Sequence, residues 1–564
     1  MIQIETDVLV VGGGPTGLTA GLLLAQQGIS HRIVERRPGP QRAPAAHVIN
    51  ARSFEIWRQA GVDMDLILSA AKDPTDAGAV HWVTRLGGEC LGSLPFERQG
   101  DEVLAVTPTP LRNLAQHRLE PMLADELRRI AGPTLFYSNA WESSDEAGDG
   151  DDASSATRVV SRVRDLATDE PYEVVSRWVI AADGAGSPVR RSLGIRPIGP
   201  DRIQSFLMIH FQANLRSLVG DQPGVLFWVS DPECSGTFVA HDIDREWVFM
   251  HVWDPDNDSI DRYDRQYCEK LLRRAMVGGE GVELEIVGTS PWMMTSQVAD
   301  SYRRGRIFLA GDSAHRFPPT GGLGLNTGVQ DVHNLVWKLA AVERGWAASA
   351  LLDTYEAERQ PIARYNAEQS LQNAARMFEI PQAMGTNASP EVAREQFAAM
   401  LRSPSRRAGV AEAISHQAEH FDMLGLQLGY VYGTGAIVPD DEPVPVVANP
   451  VREFVPSSRP GARLPHGWID RDGCRLSTLD LLAPDQLTLI VGAAAVLPAI
   501  GADVPLRVLR VDTDFVDAGG WWSKTCGMPT DGALLVRPDQ HVAARGNVDA
   551  MAPAVERVLS PAGK

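Results

Sequence analysis

At 564 residues the chain is too long for one hydrophobic core; a prior of roughly 150 residues per domain gives three or four units, fewer where α/β domains run large. Its 72 acidic against 53 basic residues leave a formal net charge of −19, which argues against nucleic acid or an anionic membrane as partner, because phosphate binding needs clustered Lys and Arg. Cys90, Cys234, Cys268, Cys474 and Cys526 form no C-x-x-C pair and the His residues no H-x-x-x-H cluster, so free thiols and no metal site are expected.

The first thirty-five residues read as a dinucleotide-binding unit. A buried strand over 8–11 precedes Gly12, Gly14 and Gly17 at G-x-G-x-x-G spacing, a helix over 15–27 that Gly28 stops, and a strand over 31–34 ending at Glu35. Gly12 allows the turn, Gly14 lets backbone approach a pyrophosphate, Gly17 permits close helix–strand packing, and the helix N-terminus attracts the anion. An amphipathic helix carrying Phe54, Ile56, Trp57 and Ala60 follows, then a helix over 111–130 with Gln116 and Glu120 near its polar side. The acidic run ESSDEAGDGDDASSATR reads as a solvated hairpin loop.

A buried strand over 178–182 ends at Asp183-Gly184 and leads to a helix start at Ser187. From 205 to 253, short alternating strands predict an antiparallel sheet, with Phe206, Met208, His210 and Gln212 on one face and Phe249, His251 and Trp253 together on another strand. One face of that sheet is placed to roof an aromatic-sized pocket. A strand over 307–310 ends at Gly311-Asp312, and a Pro- and Gly-rich loop delivers the chain to a helix starting near Leu325 with a Val332, Leu335, Val336, Leu339 stripe. The stretch from 347 to 423 is mostly helical, punctuated by Pro361 and Pro381; 433–466 is a Pro-rich linker; and 467–564 holds three strand runs of a small α/β domain. The longest apolar run, 487–500, is broken by Gly492 and Pro498, and the first residues show no secretory pattern, so a cytoplasmic protein without a membrane span is expected.

GGGPTG, AADGAGSPVRRSLG and RIFLAGDSAHRFPPTGGLGLN stand in fixed order, and together they resemble the single-component FAD-dependent aromatic hydroxylases, with wording closest to the phenol and chlorophenol branch. The resemblance implies a Rossmann-like α/β FAD-binding domain of the glutathione-reductase-2 type from 1–70, 105–195 and 295–350. It further implies a substrate-binding sheet domain from 71–104 and 196–294, a helical segment over 351–432, and a thioredoxin-like C-terminal domain. FAD would lie on Gly12, Gly14, Pro15, Thr16, Gly17, Glu35, Arg36, Arg52 and Gln116, on Asp183 and Gly184, and on Gly311, Asp312, Pro319, Gly324, Leu325 and Asn326.

The implied reaction is hydroxylation of a small phenolic substrate. NADPH or NADH reduces FAD, O2 adds at flavin C4a, and the hydroperoxide delivers oxygen ortho or para to the hydroxyl. No motif fixes the base that deprotonates the phenol; His210 and His251 are the candidates. A homodimer is left open. The alternatives are a biosynthetic oxygenase or epoxidase acting on a polycyclic or polyketide substrate, and a non-catalytic FAD-binding protein.

Overall fold

The structure, a computed structural model, describes residues 2–148, 156–441, 443–497 and 504–561. Val8–Val11 is buried at all four positions and lies inside a six-stranded sheet ordered Arg303–Arg304, Ile307–Leu309, Trp178–Ala181, Val8–Val11, His31–Val34, Leu135–Phe136. All neighbours are parallel except the first pair. Continuous apolar runs suit strands covered on both faces, and Leu18 and Leu22 of helix Pro15–Gln26 share one core with Val329, Val332 and Leu335 of helix Leu323–Glu343. Gly28 ends the first helix at φ +64°. The long helix begins two residues earlier than the sequence predicts, because Gly322, at φ +63°, is its cap.

The helix expected over 111–130 is Gln116–Ala131. Arg112–Asn113 instead pairs with Val48–Ile49, and the N–H groups of Leu114 and Gln116 donate to His47 and Ala46, which commits this stretch to extended backbone. Glu120 is fully buried, where the polar pattern suggested an exposed side. The acidic run is strand as far as Gly148: Asn139–Gly148 pairs antiparallel with Ala156–Asp165, and Arg162 and Arg164 both bond Glu142. The rest of that run, 149–155, lies outside the described residues.

The middle of the chain builds a seven-stranded sheet ordered Glu285–Met294, Gln204–Gln212, Glu246–Val252, Gly236–Asp242, Leu226–Val229, Ala79–Val83, Cys90–Pro95. It is mixed, because Leu226–Val229 runs parallel to Ala79–Val83. Alternation sorts its faces: Leu207, Ile209, Phe211 and Phe249 enter a core with Cys268 and Leu272 of helix Arg265–Arg274, while Phe206, Met208 and His210 face the other way. Register opposite those three places Val252, Met250 and Val248 on the cavity side, so His251 belongs to the far face.

Helices Thr354–Arg376, Glu379–Met384, Pro390–Arg402 and Pro404–Ser415 follow, and Pro361 and Pro381 lie inside two of them, so neither ends a helix. Among the described residues, 433–441 and 443–466 form no helix or strand, yet they bury Ala436, Ile437, Val451 and Leu464 and bridge Arg463 to His541, so this stretch is packed backbone and not a free spacer. The C-terminal sheet has four strands, ordered Leu506–Arg510, Leu487–Val491, Gly532–Val536, Val542–Asn547, with only the first pair parallel. Val542–Asn547, with the sequence VAARGN, has one large apolar residue where each of the other three strands has at least three, so the sequence does not mark it as a strand. Helix Met551–Leu559 follows the last strand. Residues 498–500 of the apolar run lie outside the described residues. All five cysteines are free, and among the described residues no helix is long and apolar enough to cross a membrane.

Candidate active site

Three loops leave the C-terminal ends of the strands Val8–Val11, Trp178–Ala181 and Ile307–Leu309, where open α/β sheets bind ligands. They face the Phe206, Met208 and His210 side of the seven-stranded sheet across a cavity of about 1710 Å³. A single small-molecule site measures roughly 300–1,000 Å³, so this chamber has room for a dinucleotide and a second ligand.

In the first loop Gly12, at φ +107°, donates its N–H to Val34 O at 2.8 Å; a Cβ there would meet Ala182 O at 2.2 Å. Gly17 allows the helix to touch the turn, since a Cβ would lie 1.9 Å from Gly12 O. Glu35 accepts from Gly13 N at 2.8 Å through Oε2 and from Arg37 N at 2.8 Å through Oε1. Burial pushes its pKa up, but the hydrogen bonds from Arg37 and Gly13 outweigh that and hold it below the usual carboxylate range. A carboxylate keeps lone pairs for a further donor.

In the second loop Asp183 Oδ2 accepts from Val189 N at 3.1 Å, while Oδ1 is buried without a partner and burial raises the carboxyl's pKa. Arg190 ties the second loop to the third, donating to Ala185 O at 3.0 Å and Ser313 O at 2.8 Å. In the third, buried Asp331 accepts from Gly311 N at 3.1 Å, Arg359 Nε at 2.9 Å and His315 Nε2 at 2.7 Å, which fixes the turn carrying Asp312. Asp312 opens to the cavity but sits deep in the molecule, and desolvation raises its pKa.

The cavity brings together Gly12, Gly14, Pro15, Thr16, Glu35, Arg36, Gln116, Asp183, Gly184, Asp312, Pro319, Gly324, Leu325 and His210. It leaves out Gly17, Gly311, Arg52, Asn326 and His251. Gly17 and Gly311 lie just behind it, in the turns themselves. Arg52 is fully buried, paired with Glu55 of its own helix at 3.0 Å and bonded to Asp539 O at 2.9 Å, so its charge is met within the helix and a further donor goes to the C-terminal segment. The Asn326 side chain serves as a brace, accepting from Asn50 N and Ser53 Oγ and donating to Val48 O and Gly322 O. His251 Nδ1 lies 2.8 Å from Ser235 O on the opposite face of the sheet. Sequence reasoning missed Arg190, Asp331 and Arg359, a cavity wall made by Met377, Ile380 and Met384, and the partner of His210, which is Glu246.

Fold and cleft define a dinucleotide-binding protein with a second chamber for a small molecule. The family described as FAD binding domain matches residues 5–370, and that described as aromatic-ring hydroxylase, C-terminal, matches 457–562. Over 572 residues the chain is 34% identical to a putative polyketide hydroxylase of Streptomyces halstedii, covering 98% of this chain and 96% of that one. It is 32% identical over 574 residues to 2,4-dichlorophenol 6-monooxygenase of Cupriavidus pinatubonensis, covering 96% and 94%. The solved structure of the flavin-dependent monooxygenase PieE with FAD and substrate superposes at TM-score 0.89 with 31% identity, covering 99% of both chains. Aklavinone-11 hydroxylase with FAD and aklavinone gives 0.81 with 30% identity, covering 99% and 100%.

The chain therefore belongs to the FAD-dependent aromatic-ring hydroxylases. It is a single-component flavin monooxygenase that uses FAD, O2 and NAD(P)H. The residues present fit FAD: Gly14 offers bare backbone to the cavity, where a Cβ would meet no protein atom within 4 Å and would fill ligand space, and Asp183 Oδ1 lacks a protein donor.

Proposed function

We propose that this enzyme hydroxylates the phenolic ring of a polycyclic aromatic substrate. The observation that carries this reading is the breadth of the chamber, whose apolar lining runs from Phe206, Met208 and Trp292 on the sheet to Met377, Ile380 and Met384 on the helical segment. Phe206 and Trp292 lie 5.7 Å apart, and Trp228, stacked on Trp82 at 4.8 Å, extends the aromatic surface. The names of the polyketide relative and of the aklavinone complex support the same class; the dichlorophenol relative favours a single ring.

FAD supplies the redox and oxygen-transfer chemistry when bound. The Gly12–Gly14 turn and the first N–H groups of helix Pro15–Gln26 would hold its pyrophosphate, Glu35 a ribose hydroxyl, and Asp183 and Asp312 further donors. Pro319, Gly324 and Leu325 would meet the ring system at the start of helix Leu323–Glu343, whose dipole stabilises negative charge there by roughly 1–2 kcal/mol. The apolar sheet face and the 377–384 wall keep water from the reacting atoms. In this reading the parts at 1–70, 105–195 and 295–350 hold FAD and the sheet domain holds substrate. The C-terminal part takes a thioredoxin-like form, supported by its four-stranded sheet with one parallel pair, and serves a structural role, since its cysteines are unpaired. Five free thiols suit a reducing, cytoplasmic compartment.

The test is a panel of simple phenols, chlorophenols and polycyclic phenols scored by NADPH and NADH oxidation and product mass. We expect polycyclic phenols to gain one oxygen atom with kcat/KM at least about tenfold above single-ring phenols, a difference of about 1.4 kcal/mol in transition-state stabilisation. The opposite order would replace the substrate class.

A further inference from the structure

His210 stands on the cavity face of strand Gln204–Gln212, its side chain 13% exposed. Its Nε2 lies 3.2 Å from Oε1 of Glu246 on the neighbouring strand. Among the described residues no hydrogen bond reaches the other ring nitrogen, Nδ1. The imidazole thus has one nitrogen fixed by a carboxylate and the other left for a ligand, the arrangement that sets a histidine's tautomer.

Glu246 is itself anchored. Its Oε2 lies 3.1 Å from Arg118 Nη2 and 3.2 Å from His117 Nε2, both on helix Gln116–Ala131. Burial favours its neutral form, but the bonds from His117 and His210 and the charges of His117 and Arg118 prevail, so it stays ionised far below ordinary carboxylate behaviour. Behind it the charge is thinly spread. Burial holds His241 neutral, drives His47 down to about 4, and lowers Lys72 to about 8; Asp242 lies 3.6 Å from Arg118. The His241 ring meets those of His47 and His117 edge-on at 5.6 and 6.2 Å. Glu246 thus stands between the His117 and His210 rings, with Arg118 as its guanidinium partner.

We propose that His210 is the base that takes the substrate's phenolic proton, and that Glu246 is the positioning residue that fixes its tautomer and stabilises the imidazolium. This rests on the phenol-hydroxylation reading given above. The O–H bond breaks, its electron pair stays on the phenolate oxygen, and the proton bonds Nδ1 while Nε2–H continues to donate to Glu246. Substrate goes from neutral to anionic and His210 from neutral to cationic, so charge balances, and the phenolate enriches the ring positions ortho and para to it. His251 cannot share the role, because its ring faces Phe249 and Tyr263 on the far side of the sheet from the cavity.

The experiment uses the holoenzyme with oxidised FAD and no NAD(P)H, and follows the phenol-to-phenolate absorbance change of a bound polycyclic phenol against pH. Wild type should ionise it at least about one pH unit below the free phenol. His210→Gln, which keeps the bond to Glu246 but takes no proton, should abolish that shift and lower kcat/KM by about 10²–10⁴-fold near neutral pH, with recovery as the phenol ionises unaided. Glu246→Gln should lose part of the shift and about tenfold in kcat/KM, and His251→Asn should change neither. If His210→Gln loses FAD absorbance, the Glu246→Gln titration decides. Wild-type ionisation and pH profile in both variants would overturn the proposal and leave a merely structural cluster. A wild-type enzyme that neither binds nor hydroxylates any phenol would instead overturn the substrate reading beneath it.

Discussion

Two glycines of one turn should fail in opposite ways when changed to alanine. Gly14 has φ −77° and ψ −178°, backbone that any residue adopts, and an added Cβ meets no protein atom within 4 Å. Gly14→Ala should leave the FAD-free fold intact, or firmer by about 0.4–1 kcal/mol through the unfolded chain. The methyl group would occupy the approach of the pyrophosphate, an overlap worth about 1–3 kcal/mol, so FAD affinity should fall roughly 5- to 150-fold. At Gly17 the Cβ would lie 1.9 Å from Gly12 O and 3.0 Å from Gly12 C, both backbone atoms. Gly17→Ala should therefore destabilise the FAD-free protein by about 1–3 kcal/mol or more. Urea unfolding of FAD-free protein separates the two effects, and fluorescence titration with FAD measures the affinity. At FAD near 100 times its Kd the wild type should gain about 2.7 kcal/mol, and Gly14→Ala less at the same concentration. Wild-type FAD affinity in Gly14→Ala would refute the placement of the phosphates on this turn.

Asp312→Ala should weaken FAD binding about ten- to hundredfold, from about 1–3 kcal/mol of unpaired donors, and hydroxylation should return when excess FAD is added; full FAD occupancy with lost hydroxylation would place Asp312 in the chemistry. Buried Glu358 bonds Arg537 at 2.8 Å and Lys338 at 2.7 Å; burial alone would raise its pKa, but these cations bring it down from 4.5 to about 2. Lys338 nonetheless falls to about 8, because burial and the nearby Arg537 outweigh the pull of Glu358 and Asp539, so the carboxylate is the group that gains. A depressed carboxyl contributes stability that is full above its unfolded pKa, so urea midpoints should drop as pH falls from about 4.5 to about 2. Arg537→Ala should remove about 3–5 kcal/mol at neutral pH; a midpoint unchanged there would contradict the pairing. Trp292→Ala should lower kcat/KM for polycyclic phenols roughly tenfold by loss of buried aromatic surface, with the flavin spectrum unchanged; a changed spectrum would put Trp292 against the cofactor instead.

What was legible in the sequence was local. Gly12, Gly14 and Gly17 are read at fixed spacing because one turn uses all three, and Asp183 and Asp312 follow buried strands that announce their own ends. The helix start at Leu323 was misplaced because either Gly322 or Gly324 can serve as cap, and only the backbone shows that Gly322 takes the left-handed conformation. Arg52 resembled a nucleotide ligand, but its partners Gln540 and Asp539 lie almost five hundred residues along the chain, beyond any spacing rule. For the same reason nothing in a linear reading joins His210 to Glu246, or Glu246 to His117; strand pairing and helix docking bring them together. The 433–466 stretch was misjudged by composition: proline and glycine mark an absence of regular elements, and buried Leu464 shows that such backbone can still be part of the core.

The most direct test is to supply the purified, FAD-loaded enzyme with NAD(P)H, a polycyclic phenol and isotopically labelled O2, and to weigh the product. FAD held in the strand-end cleft and substrate held under the sheet predict NAD(P)H oxidation that depends on the phenol and a product carrying one labelled oxygen atom. NAD(P)H oxidation with no label in the product, or a protein that retains no flavin, would contradict it.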